Sequence, residues 1–187
     1  RQSRGALHPP AQRQAGLLFL HSQSGIAGKT DNVRIARAGD DFRDWTGLLE
    51  LLHEAFAYME PRIDPPSSLH QLTPASIAVK AKDETLLLAL DGDELVGCVF
   101  AVPKGDALYV GKLAVRTNRQ GEGIGRRLMA AAEELARRSG LAYLELSTRI
   151  ELVENHATFA AMGFAKTAET SHAGYDRTTS ITMRKRI

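Results

Sequence analysis

The order of elements predicts an α/β domain, with a mixed, mostly antiparallel central sheet of about six to seven strands and helices on both faces. Three observations carry this. The stretches Phe42 to Phe56 and Ile124 to Leu135 repeat apolar residues at helical spacing. Thr85 to Leu90 and Glu94 to Val102 read as a hairpin with Asp91-Gly92 at its turn. A strand-like run, Leu108 to Val115, then enters a glycine-rich turn that opens the second amphipathic helix.

Taken in order, Val33 to Ala36 alternates like a first strand. Asp40 or Asp41 is placed to cap a helix reaching about Met59, with Phe42, Trp45, Leu48, Leu49, Leu52, Ala55 and Phe56 on one stripe. Pro61, Pro65 and Pro66 impose a loop through Ser68. Thr73 caps a short helix that begins at Pro74 and ends near Lys82. After the hairpin comes a strand from Asp106 to Val115, then a helix from about Gly123 to Ser139, stopped by Gly140. Leu141 to Ser147 reads as a buried strand and Leu152 to Met162 as a helix. Phe164 to Thr167 and Thr179 to Met183 read as a closing strand pair with a polar loop between.

The chain has 187 residues, enough for one domain with a sizeable core. Residues 1–31 mix Arg, Gln, Ser, Gly and Pro without an apolar period and are read as a flexible extension before a domain at 32–187. They open on Arg1, not Met, so they are read as part of a longer protein or as additions to it. Gly25 to Thr30 approximates a phosphate-binding P-loop, but Gln23 stands where its first glycine belongs and a strand follows. A net charge of +2 does not argue for nucleic-acid binding. No apolar run suggests a membrane span. A lone cysteine, Cys98, excludes an internal disulfide and fits a reducing, cytoplasmic setting. The histidines are scattered, with no spacing that suggests a metal site.

The chemistry concentrates at Gln120 to Arg126, where Gly121, Gly123 and Gly125 separate Glu122 and Ile124. A strand–glycine loop–helix junction aims unpaired backbone N–H groups and the positive end of a helix at one point, which suits a phosphorylated cofactor. Arg126 occupies the place of the third glycine of a dinucleotide fingerprint, and Arg126-Arg127 replace the Lys-Ser or Lys-Thr of a P-loop. Helix capping alone is the other account of these glycines. Lys112, Arg116, Arg119, Arg126 and Arg127 surround the loop against Glu122, which favours a polyanion or else forms a solvated basic face.

The pattern Gln120-x-x-Gly123-x-Gly125 resembles the acyl-coenzyme-A loop of the GNAT family of N-acetyltransferases. Asn155 and Ala157, followed by Gly163-Phe164, match a second family pattern in the expected order. The resemblance spans roughly 32–187 and implies the acyl-CoA N-acyltransferase fold, with acetyl-CoA as acyl donor and no metal. It implies that backbone groups of Leu113, Ala114 and Val115 bind the pantetheine arm. Gln120 and the N–H groups of Gly121, Glu122, Gly123, Ile124, Gly125 and Arg126 would take the diphosphate. Asn155 would bond the arm across a gap between the fourth and fifth strands, although helix capping also accounts for an Asn there. Relatives are often dimers, and oligomeric state is left open.

The resemblance breaks at Phe159, where many relatives carry a Tyr that protonates the leaving thiol. A phenyl ring packs against the arm but donates no proton. Acid and base must therefore come from elsewhere. The loop from His172 to Arg177 offers His172 as base and Tyr175 as acid, and Glu145 on the fifth strand is a further base candidate. His53, Tyr58 and the loop from Pro61 to Ser68 are candidates to shape an acceptor pocket. The expected activity is acetyl transfer from acetyl-CoA to a primary amine on a small molecule or a protein, by direct attack. The other reading is an acyl-CoA-binding sensor without turnover.

Overall fold

The structure, a computed structural model, describes residues 32–187; the expected extension and the P-loop-like segment lie outside the described residues. Seven strands form one sheet: β1 (Val33–Arg37), β2 (Thr85–Asp91), β3 (Glu94–Lys104), β4 (Ala107–Val115), β5 (Tyr143–Arg149), β6 (Ala165–Thr170) and β7 (Ser180–Arg186). Four helices join them: α1 (Trp45–Phe56), α2 (Pro74–Asp83), α3 (Ile124–Arg138) and α4 (Val153–Ala161). The sheet order is β1-β2-β3-β4-β5-β7-β6. Every neighbouring pair is antiparallel except β4 and β5, which the α3 crossover makes parallel.

Boundaries differ from the expectation where a cap or a register decides them. The cap of α1 is Asp44, whose Oδ1 accepts from the Gly47 N–H at 3.0 Å, not Asp40 or Asp41. Starting there, α1 buries Leu48, Leu51, Leu52 and Ala55. It ends at Phe56, and a tighter 3-10 turn, Ala57–Met59, completes the run. The hairpin turns at Gly92-Asp93, because Asp91 still pairs with Glu94, and Gly92 supplies the positive φ of 59°. On β5 the pairing with β7 sets the span: the strand begins at Tyr143 and continues to Arg149, opposite Ser180. Strand β6 reaches Thr170 with every residue exposed, so it carries no burial pattern from which its length could be read. At Thr73 the expected cap is present as a reciprocal capping box with Ser76.

Two cores flank the sheet. On one face α3 packs Ile124, Leu128, Ala131 and Ala132 against Leu87, Val99, Leu108 and Leu144. On the other, α1 and α2 cover the central strands through Leu48, Leu51, Leu52, Ile77, Leu88 and Phe100. Fully burying side chains of this size contributes roughly 1.5–3 kcal/mol each. Residues of β5 and β7 take no part in that second core, so their half of this face stays open for a site. Among the described residues, no helix is long and apolar enough to cross a membrane.

Candidate active site

The site begins where the sheet parts. The β4–β5 pairing holds only from Ala107 to Tyr109 against Tyr143 to Glu145, so Val110 to Val115 and Leu146 to Arg149 run on without pairing to each other. An irregularity between Cys98 and Phe100 in the β3–β4 register gives β4 one extra residue there. Lys112 sits in this bulge with a φ of 53°, the one non-glycine at positive φ among the described residues. A cavity of about 750 Å³ occupies the parting. Its lining includes Val115, Gln120, Gly125, Met129 and Phe159, together with Phe56, Tyr58, Ser67, Ser68, Arg149 and His172.

The glycine loop reaches the cavity through Gln120 and Gly125. Gly121 and Gly123 have φ of 83° and 82°, and a Cβ built on either meets nothing within 4 Å. The backbone therefore stands open to a ligand there. The first bond of α3 is donated by the Arg127 N–H to the Gly123 carbonyl at 3.1 Å, leaving the N–H groups of Ile124, Gly125 and Arg126 without a helical acceptor. A cradle that a Cβ would fill, above unclaimed donors at a helix N-terminus, fits the diphosphate of coenzyme A. Only backbone is on offer at two positions. The Ile124 side chain is buried in the core, and the Glu122 carboxylate is held by Arg119. Gln120 spends its side-chain amide on the Val115 carbonyl at 3.1 Å, which ties the loop to the end of β4.

The basic cluster is smaller than the sequence implies. Arg116 pairs with Glu54 at 2.8 Å, and Arg119 pairs with both Asp91 and Glu122. Glu54 also accepts from the Thr117 N–H at 2.9 Å; that bond, then Arg116, holds its carboxyl below the usual range. These cations fasten the loop to α1 and β2. Arg127 donates to the Val33 carbonyl. Arg126 is exposed and enters no recorded ion pair among the described residues, so it is the arginine best placed for a phosphate. Arg126→Glu is expected to raise the apparent KM for acetyl-CoA about three- to tenfold at low salt, with the effect shrinking as salt is added. Initial-rate kinetics at two ionic strengths check this.

Across the gap, Asn155 lines the cavity but does not cap α4, whose N-cap is Leu152. Its Nδ2 donates instead to the Tyr58 hydroxyl oxygen at 3.0 Å. Phe159 lines the cavity and packs edge-on against Phe164, with ring centroids 6.0 Å apart. Leu113, Ala114 and Val115 line it from β4.

The acid and base candidates separate sharply. His172 lines the cavity. Its backbone N–H donates to Thr179 Oγ1 at 2.9 Å, its Nδ1 lies 2.5 Å from the same oxygen, and that hydroxyl faces the Thr170 carbonyl at 3.4 Å. With the hydroxyl proton assigned to Thr170, Nδ1 carries the ring proton and Nε2 keeps its lone pair. Burial, then the charge of Arg149, pushes the imidazole below its ordinary value, so it stays neutral near pH 7. Tyr175 is outside the lining; its hydroxyl donates to Asp64 Oδ1 at 2.8 Å, and that bond raises its pKa. It is a loop clasp, not an available acid. Glu145 is also outside the lining, bonded by Lys104 and Arg184 at 2.8 Å each. Burial works against its charge, but the two cations overcome this and hold the carboxyl low, which makes it a poor base. His53 is exposed and absent from the lining, whereas Tyr58, Ser67 and Ser68 do line the cavity. No local pattern marks Arg149, whose place on the cavity wall depends on the distant Pro65-Pro66 segment that its guanidinium grips. Cys98 is fully buried and its thiol is pushed up to about 12 by burial, which removes it as a nucleophile. Among the described residues, no group of three or more His, Cys, Asp or Glu is arranged to hold a metal.

The sequence profile of the acetyltransferase (GNAT) family matches residues 45–164. Among solved structures, the PaiA N-acetyltransferase of Thermoplasma acidophilum in complex with coenzyme A superposes with a TM-score of 0.68 at 15% identity, over 83% of this chain and 99% of that one. A GNAT family acetyltransferase from Elizabethkingia anophelis with acetyl-CoA bound gives 0.61 at 19% identity, over 84% and 99%. The ribosomal-protein-S18-alanine N-acetyltransferase of Escherichia coli gives 0.61 at 16%, over 83% and 94%. No curated protein matches the sequence significantly.

Proposed function

The chain belongs to the acetyltransferase (GNAT) family, and on that premise we propose that it moves an acetyl group from acetyl-CoA to the primary amine of a small-molecule or protein acceptor by direct attack. The observation that carries the proposal is one cavity at the β4–β5 parting whose lining joins the glycine loop, through Gln120 and Gly125, to a neutral histidine, His172. When bound, acetyl-CoA supplies an activated acetyl thioester. Backbone N–H groups of the loop hold its diphosphate, and the unpaired edge of β4 holds the arm. His172 Nε2 takes a proton from the neutral amine as its nitrogen bonds the acetyl carbon and the thiolate leaves. Tyr58, whose hydroxyl oxygen is bonded by Asn155 on the cavity wall, provides the hydroxyl that Phe159 lacks. Direct attack, with no acylated enzyme, agrees with the inert Cys98.

The test is thiol release from acetyl-CoA by the purified protein over a mixed panel of amines. Amine-dependent, saturable release is expected. Binding of acetyl-CoA with no release above hydrolysis for any amine would instead favour the non-catalytic sensor, a reading that the missing hydroxyl at Phe159 keeps open.

A further inference from the structure

The geometry points to an acceptor that carries a carboxylate beside its amine, an amino acid or a close analogue, with Arg149 as the residue that reads the carboxylate. This rests on the acetyltransferase reading of the same cavity and narrows its acceptor.

The charges on the cavity wall argue for it. Lys112 and Arg149 are the Lys and Arg side chains that line the cavity among the described residues, and burial lowers the pKa of each. Among the described residues, Glu154 is the only carboxylate in the lining, and Arg62 takes both its oxygens, which holds its carboxyl down to about 2. A polyamine would enter a wall with no free anion and would lose hydration without compensation. An anion would gain.

Arg149 is also prepared for the task. Its backbone is fixed on both sides, since it pairs with Ser180 in the sheet and its carbonyl meets His156 Nε2 at 2.8 Å. Nη2 donates to the carbonyls of Pro65 and Pro66, which orients the guanidinium. Nη1 is buried and has no hydrogen-bond partner. Such a nitrogen on a charged group is costly to leave unpaired. No carboxylate lies within ion-pair distance of Arg149 among the described residues. Of the nearby carboxylates, Asp64 Oδ2 and Glu151 Oε1 face Arg177, at 2.8 and 3.8 Å, while Glu151 Oε2 is buried without a hydrogen-bond partner. A guanidinium fork is matched to a carboxylate. His172 lies on the same wall, near enough for Arg149 to depress its pKa, so an acceptor anchored by its carboxylate brings a neighbouring amine toward the base.

The experiment measures kcat/KM for a panel of α-amino acids and, for each, its carboxamide and its decarboxylated amine. The wild type is expected to favour at least one acid over its matched amide by about tenfold or more. In Arg149→Met that ratio is expected to fall to within about twofold of unity, with Arg149→Lys intermediate. A purely structural role, strapping the Pro65-Pro66 segment, would lower acid and amide rates together and leave the ratio intact; that result overturns the assignment. Acetylation of amines by the wild type with no preference for any acid also overturns it, while leaving the acetyltransferase reading in place. Thiol release with no amine of any class removes both. If Arg149→Met fails to fold, the wild-type panel and Arg149→Lys still decide.

Discussion

Gly125→Ala is expected to leave the fold as stable as before, or more stable by up to about 1 kcal/mol, while weakening acetyl-CoA binding at least about tenfold. The reasoning separates what the fold needs from what the ligand needs. Gly125 lies in the first turn of α3 without a positive φ, and a Cβ there meets only Val115 Cγ2 at 3.9 Å, an ordinary contact. Nothing inside the protein requires glycine. A methyl group costs the fold nothing and replaces the residue least suited to a helix. The same methyl projects at the cavity wall, beside N–H groups that a diphosphate must approach closely. Thermal melting and calorimetric titration on one protein sample check both halves. Unchanged affinity together with raised stability would mean that the loop is only a helix cap. Gly121 and Gly123 make a less clean experiment, because their positive φ would strain any replacement.

His172→Gln is expected to lower kcat by about 10²-fold, the usual contribution of a positioned general base, with little change in the KM for acetyl-CoA. The wild-type enzyme should also lose activity as pH falls below the ordinary histidine range near 6.5. The sign follows from the environment. Burial and Arg149 hold the pKa of His172 low, so its neutral, basic form persists to lower pH than an exposed imidazole allows, with Glu151 opposing only in part. Protonation on the acid side occupies Nε2 and stops proton removal. In His172→Gln the acid limb assigned to this group should vanish along with the rate. A pH profile of kcat/KM that is unchanged by the substitution would return the role of base to solvent or to another side chain.

What could be read from the chain and what could not divide along sequence distance. The glycine loop, the cap at Thr73 and the α3 stripe are local patterns, and each stands where the residues place it. Asn155 and Phe159 were legible by their spacing from Gly163-Phe164, and both reach the cavity wall. The cationic cluster was overread because Glu54 and Asp91, which neutralise Arg116 and Arg119, come from elements far away in the chain. Tyr175 and Glu145 carry suitable chemistry, but Asp64, Lys104 and Arg184 claim them through contacts that spacing cannot disclose. Tyr58 acquires its significance only from Asn155 across the gap. The ends of α1 and β6 escaped because one is set by which aspartate caps and the other has no buried face.

A crystal structure of the acetyl-CoA complex tests the central claim most directly. The account predicts the diphosphate seated on the main-chain amides between Gly121 and Arg126, with the arm passing between β4 and β5 beyond Tyr109 and Glu145 and its sulfur end facing the wall that holds His172. A ligand seated elsewhere, or a complex in which β4 and β5 pair along their full length and close the parting, would contradict it.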